Sequence, residues 1–81
     1  MARDVYAVAR ALGTEVGDAG HPEWSERIDD IVAGGATATE ILMGLRWSLG
    51  ELLDQVPGLP DDLGGRITSL RDEIHSLVRV T

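Results

Sequence analysis

Apolar residues recur at three- and four-residue spacing along nearly the whole chain, and the interruptions fall at glycine and proline. Val5, Val8, Ala9, Leu12 and Val16 form a first stripe, as one helix face does when it packs on a core. The stretch GDAGHP at 17–22 ends it, because two glycines and a proline do not continue a helix cheaply. Gly13 and Gly17 stand four residues apart; in so charged a segment this reads as close packing and capping, not as a membrane dimer motif. The second stripe opens at Pro22, a residue suited to a first helical turn, with Glu23 near the positive end of the helix dipole. Trp24, Ile28, Ile31 and Val32 share its face, so Trp24 is predicted in the core, and AGG at 33–35 places glycine at the C-cap. The third begins with TATE, a capping box in which the Thr37 hydroxyl accepts from the Glu40 N–H while Glu40 reaches back. Ile41, Leu42, Leu45, Leu49, Leu52 and Leu53 carry it to PGLP at 57–60. The fourth starts at Pro60, Asp61 and Asp62 and carries Leu63, Ile67, Leu70, Ile74, Leu77 and Val78. Gly64 and Gly65 weaken its first turn by about 1 kcal/mol each relative to alanine.

The pattern predicts helices over about 2–16, 22–33, 38–56 and 60–79, and no segment sustains the period-two alternation of a strand. Short connections favour antiparallel neighbours, and four amphipathic helices bury their stripes best against one another. The expected fold is all-α: a compact antiparallel four-helix bundle forming one domain over residues 1–81, without repeats or linker.

Two residues break the pattern. Met43 and Trp47 lie four apart on the third helix, roughly 140 to 180° from the centre of its leucine stripe at 100° per residue. Gly50 beside them leaves room for another backbone or ring. Either the third helix is flanked on two sides and Trp47 packs beneath a neighbouring element, or the pair is exposed and anchors another chain. Tryptophan suits the second role because it buries a large area for few rotatable bonds, and methionine adapts to an irregular partner surface. Glu40, Glu51 and Asp54 would then form the polar rim.

Composition narrows the choice. The 81 residues include no cysteine, which excludes a disulfide scaffold, a thiolate zinc site and a cysteine nucleophile, and fits a cytoplasmic protein. No apolar run approaches the roughly 18 to 20 residues of a membrane span, and the N-terminus does not read as a signal peptide. Seven arginines, no lysine and fourteen acids give a net charge of −7, so nucleic acid and anionic membranes are not expected as partners. A basic protein fits better. Glu23, Glu26 and Asp30 fall on one flank of the second helix; with Arg27 nearby they form either a solvated face or a surface that steers a basic partner.

Catalytic chemistry finds little footing. His21 lies in a loop, His75 lies off the last stripe, and there is no HExxH, EF-hand or phosphate-binding glycine loop. No enzyme, metal or cofactor is expected. Ser48–Leu49 in RWSLGELL resembles the serine–leucine of acyl and peptidyl carrier proteins, acidic helical bundles whose serine holds a phosphopantetheine arm. The resemblance covers two residues, and Ser48 falls mid-helix where that family's serine starts a helix. IDDIVAGGATATEILMGLRW has the helix–turn–helix outline, with Thr37 and Thr39 available for phosphates, but Arg46 is the only base on its second helix. The expected function is a small acidic protein-interaction module, most concretely an immunity, antitoxin or inhibitor protein for a larger basic partner. A self-associating adaptor, a homo-oligomer using the same Met43–Trp47 surface, is the closest alternative.

Overall fold

The computed structural model describes residues 4–80. Among them lie four helices and no strand: α1 (Val5–Asp18), α2 (Pro22–Gly34), α3 (Ala38–Gln55) and α4 (Asp61–Val80). They form the expected all-α four-helix bundle. Each helix packs on its neighbours in sequence, and α1 meets α4, closing a ring in the order α1–α2–α3–α4. The short connections dictate this order, since a few residues reach only an adjacent antiparallel position. A radius of gyration of 11.8 Å is close to the roughly 11.7 Å expected for a packed chain of this length.

The core is aliphatic with one aromatic. Ala9, Leu12 and Val16 of α1 meet Trp24 and Ile28 of α2, Leu45, Leu49 and Leu52 of α3, and Leu63, Ile67, Leu70 and Ile74 of α4. Trp24 is buried, as its stripe predicted. Ile31, Val32, Leu42 and Leu53 are half-buried at its margin. Leu77, expected on the α4 stripe, is 41% exposed: it lies at the end of the longest helix.

The predicted start of α1 at residue 2 does not hold. Asp4 has an extended backbone, and its carboxylate accepts from the N–H groups of Tyr6 (3.1 Å) and Ala7 (3.2 Å), so the helix begins at Val5. Residues 2 and 3 lie outside the described residues. At its other end α1 runs through Gly17 to Asp18, past the predicted stop. Gly20 at φ 109° then reverses the chain: its N–H donates to the Gly17 carbonyl (3.1 Å) and that of His21 to the Val16 carbonyl (3.2 Å), a Schellman close.

Gly13 and Gly17 both lie against α2. A Cβ on Gly13 would meet Ile28 Cδ1 at an ordinary contact distance of 3.4 Å, whereas one on Gly17 would lie 3.2 Å from Ser25 Cβ, so Gly17 is the one whose smallness helps α1 settle on α2. Gly35 is the C-cap of α2 as predicted, but with extended φ of −74°. Its smallness is what matters, because a Cβ there would collide with Ile41. The capping box of α3 forms with one change of partner: Thr37 Oγ1 accepts from the Glu40 N–H (3.2 Å), while Glu40 accepts from the N–H of Ala36 (3.2 Å). No helix among the described residues is long and apolar enough to cross a membrane.

Candidate functional site

Trp47 points outward. It is 65% exposed and Met43, one turn earlier, 53%. Of the two readings open to the sequence, the covered one is thereby excluded.

The ring of Trp47 is nevertheless held in place. Trp24 and Arg27 are three apart on α2, and Trp47 and Glu51 four apart on α3, spacings that make each pair neighbours on its helix. Where the two helices pack, Arg27 meets all three. Its guanidinium carbon lies 4.8 Å from the centre of the buried Trp24 ring and 5.6 Å from that of Trp47, while Nη2 donates to Glu51 Oε2. Such cation–π contacts are worth about 0.5 to 1 kcal/mol each at exposed sites. Gly44 sets the separation of the helices, because a Cβ there would lie 3.0 Å from Ile31 Cγ2. Core, guanidinium and surface ring thus form one connected unit.

Trp47 is also the ridge between two open grooves. On one side a groove of about 560 Å³ runs between α2 and α3, lined by Glu23, Glu26, Arg27, Asp30, Ile31, Gly44, Trp47 and Ser48. On the other, a groove of about 450 Å³ between α3 and α4 is lined by Arg46, Trp47, Gly50, Glu51, Asp54, Arg71, Asp72 and His75. Met43 shares a smaller hollow with Arg46 and Trp47. The two sets of candidate residues, separate in sequence, therefore converge on one surface. Glu23, Glu26 and Asp30 share a groove with Trp47, and Glu51 and Asp54 lie across the ridge.

Two of the candidates take up structural duties. Glu40, expected on the rim, lines neither groove and serves as the cap of α3. Glu51 is half-buried, and its carboxylate is engaged by Arg27. Arg27 is the residue the sequence understated. Its i,i+3 relation to Trp24 was visible, but its contacts with Trp47 and Glu51 depend on the register of α2 against α3.

The electrostatics of the α2–α3 groove are one-sided. Glu23 lies 3.9 Å from His21 Nδ1, whereas Glu26 and Asp30 have no basic group within ion-pair distance among the described residues. Arg27, the groove's own cation, is paired with Glu51. Ser48 is 1% exposed, so the serine of the carrier-protein resemblance does not present its hydroxyl to solvent. No cluster of three or more histidine, aspartate or glutamate side chains among the described residues is placed to hold a metal ion.

Elsewhere, Arg66 of α4 grips Glu15 of α1 through the two terminal guanidinium nitrogens, Nη1 to Oε1 at 2.8 Å and Nη2 to Oε2, with Asp62 at 3.4 Å. These hydrogen bonds, and the positive charge behind them, hold the Glu15 carboxyl below its ordinary value, partial desolvation opposing. A third groove, of about 640 Å³, lies beside this pair between α1 and α4.

No protein-family model, curated protein or solved structure matches the chain. What fold and surface define is a small acidic helical bundle bearing an outward-facing tryptophan between two grooves.

Proposed function

We propose that this protein is a protein-interaction module that neutralises a larger, basic partner, in the manner of an immunity, antitoxin or inhibitor protein. The observation that carries the proposal is Trp47, 65% exposed yet braced by Arg27 against the core. A large ring that touches Arg27 yet leaves most of its surface open offers a partner apolar area to bury at the cost of few rotatable bonds. Met43 extends the apolar contact, and the carboxylates on either side supply a polar surround. A net charge of −7 disfavours a second copy of the chain on this surface, because two such faces would bring like carboxylates together.

Co-expression of the chain with the products of the genes adjacent to its own tests the proposal. A stoichiometric complex is expected, together with relief of any growth defect that the neighbour causes alone. Trp47→Ala should weaken the complex by at least about 2 kcal/mol, the cost typical of an interface hot spot, while lowering the stability of the free protein by no more than about 1 kcal/mol. Neighbouring products that neither bind nor are neutralised would overturn the inhibitory role. A complex indifferent to Trp47→Ala would move the interface elsewhere.

A further inference from the structure

We infer that the α2–α3 groove receives a helix of the partner that presents arginine or lysine side chains along one face. The inference rests on the interaction-module proposal and names the chemistry of its partner. Glu23, Glu26 and Asp30 all line this groove, spaced by three and four residues along α2. At about 1.5 Å rise per residue they span roughly 10 Å of its axis. A helix laid alongside repeats its side chains at the same interval, so cations at i, i+3 and i+7 would meet the three carboxylates in turn. Glu26 and Asp30 find no basic group within ion-pair distance among the described residues, and the groove's own arginine is paired with Glu51. Both carboxylates are exposed and therefore open to a countercharge brought by a partner. The opposite wall is Trp47, whose exposed ring offers a guanidinium or ammonium group a π-face and its alkyl stem an apolar surface. Gly44 keeps the floor beside Trp47 low. Carboxylates on one wall and an aromatic ring on the other match a long cationic side chain better than an acidic or purely apolar one.

A synthetic helical peptide with arginines at i, i+3 and i+7 and leucines on the same face is the probe. Two analogues, in which glutamine or glutamate replaces the arginines, accompany it. Titration into the ¹⁵N-labelled wild-type chain follows both tryptophan indole N–H resonances, that of Trp47 being identified by its loss in Trp47→Phe. The arginine peptide should shift the Trp47 signal saturably and more strongly at low salt, with the glutamate analogue inert. Trp47→Ala and the double variant E26Q/D30N should each weaken binding about tenfold or more, whereas D18N/D61N, an equal change of net charge away from the groove, should weaken it no more than about threefold. Equal losses in the two double variants would reduce the effect to net charge and overturn the inference. So would the absence of a saturable shift up to about 1 mM peptide. A glutamine analogue that binds as tightly, and still through Trp47, would overturn the cation preference while leaving the interaction module standing. Binding of all three peptides indifferent to Trp47→Ala would remove both.

Discussion

Trp24 and Trp47 contact the same guanidinium, one from within the core and one from the surface, so truncating each changes a different quantity. Trp24→Ala opens a hole among buried aliphatic side chains and should cost about 3 to 5 kcal/mol of unfolding free energy. Trp47→Ala removes mostly exposed area and should cost no more than about 1 kcal/mol, the value of its contact with Arg27. Urea unfolding of the two variants measures both costs. Acrylamide quenching should be strong for Trp47 alone in Trp24→Phe and weak for Trp24 alone in Trp47→Phe. Comparable costs for the two truncations would mean that Trp47 is part of the core. That Trp47 faces outward was one of two positions open to the sequence, since the angle between residues on a helix fixes a face but not what covers it. The bridge through Arg27 was not legible. It requires the register of α2 on α3, which a contact as local as Gly44 against Ile31 helps to set.

At the scale of the helices, the glycines divide by what stands opposite them. A Cβ on Gly44 would lie 3.0 Å from Ile31 Cγ2, so the isoleucine has to give way to a methyl group there, whereas nothing lies within 4 Å of a Cβ built on Gly65. Alanine in an unobstructed helical position is favoured over glycine by up to about 1 kcal/mol. Gly65→Ala should therefore raise stability by about 0.5 to 1 kcal/mol, while Gly44→Ala should give no gain, its helical preference offset by displacement of Ile31. Chemical denaturation of the pair checks this, and equal gains would show that α2 and α3 are less tightly apposed than the contact implies. The same division explains what the sequence conveyed about the elements. The four stripes, the capping box at Thr37 and the proline stops were all readable, because they act within one helix. The end of α1 was misjudged because Gly17 looks like punctuation but serves as a contact with Ser25, leaving Gly20 to reverse the chain two residues beyond Asp18.

For the molecule as a whole, acid is both a relief and a loss. Fourteen acidic residues against seven arginines repel one another at neutral pH, and protonation lessens that repulsion as pH falls. Glu15 works in the opposite direction. It ties α1 to α4, where the last helix meets the first and closes the ring, and Arg66 holds its carboxyl below the ordinary value of 4.5. A carboxyl whose folded value is depressed contributes stability that is complete above its unfolded value and disappears as pH falls through the folded one. The contrast between wild type and Glu15→Gln isolates this contribution from the general relief of repulsion, because the remaining acids are common to both. Wild type should be the more stable at pH 7, by a constant margin down to about pH 5, and the margin should close below pH 4.5. Both partners are substantially exposed, so the margin at pH 7 should also shrink between low and about 1 M salt. Urea unfolding across pH 2.5 to 7 at two salt concentrations is the measurement. A margin that persists unchanged to the lowest pH would show that Glu15 supports the bundle by packing and not by its charge, and no margin at pH 7 would mean that the α1–α4 contact closes the ring without it.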